Sequence, residues 1–222
     1  VASAHADDDA LAGTGAAQVC GQIGPELANT HHVYTSVHTS SGVTLVDRAT
    51  ITAMNFAFTE EQEELRKTVR QFLEAKSAEE AVREQMETEA GFDAAVWSQM
   101  GEQMGLQGLI VPEEFGGSGY SYVELGIVLE EMGRSLLCAP FFSTVVLAAN
   151  TLIHSGDDAA KAAHLPGIAA GETIATVAFT EPSGKWDEAG ITMQASGSGS
   201  DWTLSGTKMF VLDGHTANLI IV

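Results

Sequence analysis

The spacing of apolar residues changes near Gly171, and this change constrains the fold of the 222-residue chain more than any other feature. Before that glycine, apolar residues recur every three or four positions, as they do along one face of a helix. After it, short runs rich in β-branched and aromatic residues alternate with turn residues, which is typical of strands. We therefore predict an α+β protein in which an all-α helical bundle precedes a β-domain.

Capping signals place the starts of the helices. Thr59 with Gln62, and Ser121 with Glu124, are predicted capping boxes, in which two side chains satisfy free backbone N–H groups at a helix start. The second of these boxes opens a helix that we expect to run to about Leu136. Further helices are predicted at 93–105, at 144–154, and from Asp157 or Asp158 to near Gly167 or Gly171.

Strand signals follow Gly171 in close succession. Five strands are predicted, at 173–179, 191–195, 202–205, 208–212 and 218–222. Gly197 and Gly199 mark the turn between the second and third of them. We expect an antiparallel, β-barrel-like domain that the chain leaves incomplete, because folded sheets avoid an open edge of this kind.

The charge of the chain excludes one class of ligand. The chain has ten basic and 30 acidic side chains, which give a formal net charge of −20. A nucleic-acid-binding protein, by contrast, needs a basic surface. Residues 54–135 carry 17 acidic and 6 basic residues. A solvated helix surface accounts for this excess, and a docking surface for a basic partner is the alternative. No apolar run is long enough to predict a membrane span, and we expect no secretory signal.

Cysteine and histidine give no metal pattern. Cys20 and Cys138 are far apart, and the pair His31 and His32 has no nearby ligand partners. We expect no metal site, and two reduced thiols in a cytoplasmic protein.

Composition changes again near Met54. Residues 1–53 are rich in Ala, Gly, Ser, Thr and His, with Arg48 as the one basic residue among them. The chain is therefore divided into an atypical leader at 1–53, a helical domain at 54–171 and an incomplete β-domain at 172–222.

Three stretches, in order, resemble the acyl-CoA dehydrogenase family over residues 55–222. The first is Met-Gly-Leu-Gln-Gly-Leu at 104–109, which leads into Pro-Glu-Glu-Phe-Gly-Gly-Ser-Gly at 112–119 and Glu-Glu-Met-Gly-Arg at 130–134. The second is Ala-Phe-Thr-Glu-Pro at 178–182, and the third is Gly-Thr-Lys-Met-Phe-Val at 206–211 with Gly214 and Ala217. The resemblance implies the family's N-terminal helical domain and the start of its middle β-domain, with the C-terminal helical domain absent.

The resemblance also implies a function. In the family, an acyl-CoA thioester loses its α-proton to a carboxylate base while a hydride leaves the β-carbon for FAD. The base is expected beyond Val222, so no catalytic residue is assigned, and the fragment alone is expected to be inactive. Acyl-CoA as substrate, lipid or sterol side-chain breakdown, and a homo- or hetero-oligomer with another acyl-CoA dehydrogenase subunit are further implications. The alternatives are a non-catalytic structural partner in a heteromeric dehydrogenase, and a binding or regulatory module.

Four residues are implied to bind FAD: Phe179, Thr180, Phe210 and Val211. For Thr180 the alternative is a strand-end hydroxyl that caps its own backbone. For Phe210 the alternative is an ordinary strand core residue. Glu181 is implied to be structural rather than catalytic.

Two positions depart from the family pattern. Trp186 and Leu212 stand where hydroxyl-bearing residues that address the flavin are usual in the family. FAD binding is therefore expected to be weaker, rearranged or shared with a partner subunit. Lys185 is either a phosphate contact or an exposed turn residue. The loop around Gly116 and Gly117 is either part of the acyl pocket or a plain interhelical loop.

The leader has two interpretations. Residues 16–24 and 31–34 loosely resemble a segment near the end of the same family, with Cys20 and Gln22 at altered positions. The leader is then the tail of an upstream dehydrogenase joined to a second one that starts at Met54. A low-complexity leader with chance similarity is the alternative.

Overall fold

The computed structural model describes residues 35–39, 42–46, 57–198 and 201–222. The chain divides into two units, Val1–Ala57 and Phe58–Val222, which are described separately. In the first unit, β1 (Thr35–Thr39) pairs in antiparallel fashion with β2 (Gly42–Val46). The predictions that concern residues 16–24 and 31–34 lie outside the described residues.

The second unit is helical first and contains short strands afterwards, as predicted. Its helical part consists of α1 (Glu60–Lys76), α2 (Glu79–Met86), α3 (Ala94–Glu102), α4 (Tyr122–Arg134), a π-helix (Phe142–Ala149), α5 (Asn150–His154) and α6 (Asp158–Ala169). Its strands are β3 (Ala175–Val177), β4 (Gln194–Ser198), β5 (Asp201–Ser205) and β6 (Leu219–Ile221). Short 3-10 turns lie at Leu106–Gly108, Glu113–Phe115 and Glu188–Gly190.

Both predicted capping boxes are present. At the start of α1, the hydroxyl of Thr59 accepts a hydrogen bond from the Gln62 N–H at 3.2 Å, and the Gln62 side chain accepts one from the Thr59 N–H at 3.0 Å. At the start of α4, Ser121 and Glu124 make the reciprocal pair. The Gln62 amide also donates to the Glu124 carboxylate at 2.6 Å, so the two helix starts are joined.

Removal of one cap tests this arrangement. We expect Ser121→Ala to lower the free energy of unfolding by about 1 kcal/mol, because the backbone N–H groups at the start of α4 lose their side-chain acceptor. Urea denaturation measures the loss. Ser118→Ala is the matched control, since Ser118 is exposed and its side chain makes no hydrogen bond within the described residues. Equal losses in the two variants would contradict the capping role.

Two apolar cores hold the second unit together. The first lies between α1, α3, α4 and the start of the π-helix; its buried members include Val69, Leu73, Trp97, Met100, Leu125, Val128 and Val145. The second lies between the end of the π-helix, α5, α6 and β3; its buried members include Val111, Ala148, Leu152, Leu165, Ile168 and Ala175. The strand segment is therefore anchored on the helices through β3.

The segment predicted as a single helix at 144–154 is corrected. It begins as a π-helix at Phe142 and becomes α-helical only at Asn150. Near its start, buried side chains bond to residues outside the helix: Ser143 donates to the Asp213 carboxylate, and Thr144 donates to the Ala175 carbonyl. Side-chain bonds of this kind compete with regular helical bonding. The short α2 was not predicted.

The strand pairing differs from the prediction. Strands β4 and β5 form the expected antiparallel hairpin, with Gln194 opposite Ser205. Strand β4 begins three residues later than predicted and contains Gly197, which was expected in the turn. Strands β3 and β6 are parallel, with Ala175 opposite Leu219, so the antiparallel prediction is wrong for this pair. The long segment between β3 and β6 supplies the crossover that parallel pairing requires. In the described part of the second unit these are two separate two-stranded sheets, and no barrel is formed.

The predicted strand at 208–212 is also wrong. Phe210 and Asp213 have φ values of 54° and 52°, and a non-glycine residue in this left-handed region does not continue a strand ladder. The segment is instead an irregular connection beside the end of β3.

Candidate functional site

The four residues predicted to bind a cofactor lie on two neighbouring segments. We call residues 178–182, which follow β3, segment A, and residues 207–213 segment B. The Met209 N–H donates to the Thr180 carbonyl at 2.8 Å, and the Thr176 hydroxyl donates to the Leu212 carbonyl at 2.7 Å. The structure therefore brings Phe179 and Thr180 of segment A beside Phe210 and Val211 of segment B.

Segment B is also tied to the helices. The Ser143 hydroxyl, which is buried at the start of the π-helix, donates to the Asp213 carboxylate at 2.6 Å. The Thr216 N–H and hydroxyl donate to the Asp213 carbonyl, at 3.1 Å each. Sequence reasoning missed the bond between Ser143 and Asp213, which holds the end of segment B against the helical part.

Phe210 presents its ring to solvent. It is 83% exposed, and its backbone has a positive φ of 54°. The interpretation of Phe210 as a strand core residue is therefore wrong. Phe179 is half-exposed and packs edge-on against the Trp186 ring, with 5.3 Å between the ring centres. Two aromatic side chains are thus available on adjacent segments.

The two segments also offer unused hydrogen-bond donors. Within the described residues, no hydrogen bond to protein is made by the backbone N–H groups of Thr180, Phe210 and Val211, nor by the Thr180 hydroxyl. The alternative that this hydroxyl caps its own backbone is not seen in that part of the chain. N–H and O–H donors beside exposed aromatic rings are the chemistry that a planar heterocycle rich in carbonyl and ring-nitrogen acceptors requires. The residues present therefore fit a flavin.

The departures from the family pattern lie at the edge of this site. Trp186 is 78% exposed, so it covers Phe179 rather than filling a core. Leu212 takes part through its backbone carbonyl, while its side chain stays half-exposed. Lys185 is exposed in a turn after Gly184, whose φ is 67°.

Glu181 in segment A is buried and fully engaged. It is 3% exposed and accepts hydrogen bonds from the Thr192 N–H at 2.7 Å, the Met193 N–H at 3.2 Å and the Lys208 ammonium at 2.9 Å. The Thr192 hydroxyl also donates to it. The Thr192 hydroxyl, then Lys208 and the Thr192 N–H, lower the pKa of Glu181 to about 2.

Sequence reasoning gave Glu181 a structural role but did not find its partners. One signal for Lys208 was available, because it is a lone charge in a run that reads as a buried strand. A charge at such a position needs an opposite charge nearby. Thr192 carried no comparable signal.

A small cleft adjoins segment A. Its volume is about 320 Å³, and its lining is mostly apolar: Val177, Ala178, Phe179, Ile191, Met193, Ala195, Leu204, Lys208 and Val222. The one charged group in this lining, the Lys208 ammonium, is neutralised by Glu181.

The loop at 112–119, here called the glycine loop, packs on the second core through Phe115. Its backbone returns along the preceding segment, with the Ser118 N–H donating to the Gly108 carbonyl and the Tyr120 N–H donating to the Leu109 carbonyl, both at 2.9 Å. These contacts account for the loop as an interhelical connection. A role for it in an acyl pocket stays a prediction.

Two further searches covered the described residues. Nowhere in them are three or more His, Cys, Asp or Glu side chains arranged to hold a metal ion. None of the helices described has both the length and the apolar character needed to cross a bilayer.

Comparison with known proteins decides the family. The sequence profile named "Acyl-CoA dehydrogenase, N-terminal domain" matches residues 59–172, more than half of the chain. The chain belongs to the acyl-CoA dehydrogenase family. A curated relative, mitochondrial isovaleryl-CoA dehydrogenase from Pongo abelii, is 32% identical over 165 residues, which are 73% of this chain and 39% of that protein.

Solved structures share the fold. The ChsE4–ChsE5 complex from Mycobacterium tuberculosis matches with a TM-score of 0.66 and 29% identity, over 75% of this chain and 44% of that chain. The Tcur3481–Tcur3483 steroid ACAD matches with a TM-score of 0.62 and 30% identity, over the same shares, 75% and 44%. The chain thus spans less than half the length of these relatives.

Proposed function

We propose that this chain is part of a FAD-dependent acyl-CoA dehydrogenase subunit that introduces an α,β double bond into an acyl-CoA thioester. The observation that supports this most is the pairing of segments A and B. It brings together two exposed aromatic rings and a set of N–H and O–H donors that make no hydrogen bond within the described part of the chain. Because the chain belongs to the acyl-CoA dehydrogenase family, we interpret this arrangement as a binding site for the flavin.

Each residue has a separate part in this proposal. FAD, when bound, supplies the acceptor for the hydride that leaves the β-carbon. The Thr180 hydroxyl and the N–H groups of Thr180, Phe210 and Val211 donate hydrogen bonds to the flavin edge, and the Phe179 and Phe210 rings cover its apolar surface. Glu181 is not the base that removes the α-proton, because its oxygens are occupied by four donors. That base is proposed to lie beyond Val222.

The substrate proposal is an acyl-CoA from lipid or sterol side-chain breakdown. The isovaleryl-CoA relative favours a short branched acyl group, and the steroid ACAD favours a sterol side chain. We further propose that the protein is cytoplasmic and forms a homo- or hetero-oligomer. The domain boundaries that we propose are those predicted from the sequence, 54–171 for the helical domain and 172–222 for the β-domain.

Flavin binding and bleaching test the proposal. The test uses the full-length protein of which this chain is part, here called the intact protein. We expect it to bind FAD and to lose flavin absorbance when an acyl-CoA is added without oxygen. Phe210→Ala is expected to weaken FAD binding up to about tenfold, since an aromatic contact contributes about 0.5–1.5 kcal/mol. Phe58→Ala is the matched control, because Phe58 is also exposed but contacts Arg66 on α1. An intact protein that stays colourless and takes up no added FAD would sink the proposal.

A second candidate function is a non-catalytic partner subunit in a heteromeric dehydrogenase. It is favoured by Trp186 and Leu212, which replace two residues whose hydroxyls are usual beside the flavin in this family. The similar ChsE4–ChsE5 structure is a complex of two proteins, which supports an assembly with a second subunit. Purification with a second dehydrogenase subunit supports this candidate, whereas full activity of a homo-oligomer excludes it.

A further inference from the structure

The carboxylate of Glu181 connects three parts of the chain. Glu181 itself lies in segment A, Lys208 lies in segment B, and Thr192 and Met193 lie immediately before β4. Its two oxygens accept from four donors, one of them cationic, so the carboxylate is saturated with hydrogen bonds. None of these contacts is local, since the partners are 11 to 27 positions away along the chain.

The Lys208 end of this network lies where segments A and B meet. Its ammonium also donates to the Phe179 carbonyl, at 3.4 Å. The next residue of segment B, Met209, donates its N–H to the Thr180 carbonyl at 2.8 Å. The ion pair therefore adjoins the backbone hydrogen bond between Met209 and Thr180 that joins the two segments.

We propose that Glu181 is a positioning residue, whose carboxylate holds segment A, segment B and the Thr192–Met193 backbone at a fixed spacing so that the flavin contacts are in place before FAD binds. This inference rests on the proposed function. Glu181 touches neither substrate nor flavin in this proposal and acts through Lys208 and the backbone. The lowered pKa of Glu181 keeps the carboxylate charged throughout the neutral range.

The chemistry of the site favours a carboxylate at position 181. The Lys208 side chain is 12% exposed, so its ammonium depends on the carboxylate for neutralisation. An amide at position 181 keeps one acceptor oxygen but points an NH₂ group at donors. Repulsion between these donors moves segment B away from segment A.

The test uses the intact protein and the variant Glu181→Gln. We expect FAD binding to weaken by about tenfold to a hundredfold, as when a group that orients direct ligands is lost. The visible circular dichroism of the remaining bound flavin is expected to change, because the ring sits differently between the segments. Exchange of the Thr192 and Met193 amide hydrogens is expected to accelerate with or without FAD.

Milder and matched variants keep the test decisive if Glu181→Gln does not fold. Thr192→Val removes one donor and is expected to shift the same measurements less. Lys208→Met is expected to reproduce the Glu181→Gln result, and Lys208→Arg to restore most of the affinity and the flavin spectrum. Glu188→Gln is the charge-matched control, since Glu188 is exposed in the neighbouring 3-10 turn.

The outcomes separate this inference from the proposed function. Parent protein that binds FAD, together with unchanged affinity, spectrum and amide exchange in Glu181→Gln and Lys208→Met, overturns the positioning role. Parent protein that binds no FAD overturns the proposed function. In that case amide exchange still decides whether Glu181 holds the segments, because unchanged exchange rates overturn this part as well.

Discussion

Replacing Gly117 with alanine is expected to lower the free energy of unfolding by about 3 kcal/mol, at the upper end of what overpacking costs. A Cβ atom at this position would overlap the Val111 carbonyl oxygen and lie 2.5 Å from the Val111 Cβ. Val111 is fully buried in the second core, and its carbonyl accepts from the Gly119 N–H at 2.9 Å. A shift of either group would disturb the hydrogen bond from Gly119 or the packing of Val111 in the second core.

Gly126→Ala is the control for this prediction. Gly126 lies inside α4, and a Cβ there meets nothing within 4 Å. Alanine in a helix interior is more favourable than glycine, so this variant is expected to gain about 0.5–1 kcal/mol. Urea denaturation measures both effects, provided that the dependence of the free energy of unfolding on urea concentration is the same in the variants and the parent. A Gly117→Ala protein as stable as the parent would show that the glycine loop is not constrained by contact with Val111.

Replacing Glu131 with glutamine is expected to cost about 3 kcal/mol, the lower end of the range for a broken buried ion pair. The Glu131 side chain is 1% exposed and accepts from Arg70 at 2.6 and 3.0 Å and from Arg134 at 2.8 Å. This cluster joins α1 to α4. The lower end applies because Arg70 and Arg134 are 45% and 42% exposed and become hydrated when the carboxylate is lost. Arg66, which lies 3.6 Å from Glu131 and is 15% exposed, keeps its ion pair with Glu130.

The adjacent residue provides the control. Glu130 pairs with Arg66 at 2.5 Å, but its side chain is 64% exposed, so Glu130→Gln is expected to cost less than about 1 kcal/mol. A comparison of the two variants by chemical denaturation separates burial from charge. Similar losses at 130 and 131 would contradict the assignment of the larger effect to the buried carboxylate.

Lowering the pH is expected to remove the contribution of Glu131 to the stability of the fold. Hydrogen bonds from Arg70, and then from Arg134, lower the pKa of Glu131 from 4.5 to about 2, although burial opposes this. Because the folded-state pKa lies below the unfolded value, the carboxylate stabilises the fold above about pH 4.5, and this contribution is lost as the pH falls towards 2. The stability difference between the parent and Glu131→Gln is therefore expected to shrink over this interval. The Glu181 contribution cancels, because both proteins contain it.

Features set by neighbouring residues could be predicted from the sequence. The capping boxes at Thr59 and Ser121 depend on partners three positions away, so the pattern of residue types is sufficient to find them. The order of helices and strands followed from periodicity in the same way. The two segments that carry Phe179, Thr180, Phe210 and Val211 were found through resemblance rather than through local physics.

Features set by distant contacts could not be predicted. The parallel pairing of β3 with β6, the bonds from Arg70 to Glu131 and the Glu181–Lys208 pair join residues that are 27 or more positions apart. The π-helix depends on side-chain bonds from Ser143 and Thr144 to residues beyond the helix. Phe210 was compatible with a strand by composition, and only its left-handed backbone shows that the strand is interrupted.

The parallel pairing of β3 with β6 also sets the order in which the chain can fold while it is being synthesised on the ribosome. The backbone of Ile174 bonds to Asn218, 44 positions later, and at synthesis rates of about 5–20 residues per second this interval lasts roughly 2–9 seconds. Thr144 can anchor β3 to the helices during that time, but the other edge of β3 has no partner yet. A nascent chain with an open edge is a target for aggregation or for a chaperone. Slow codons between β3 and β6 are therefore expected to lower the yield of folded protein.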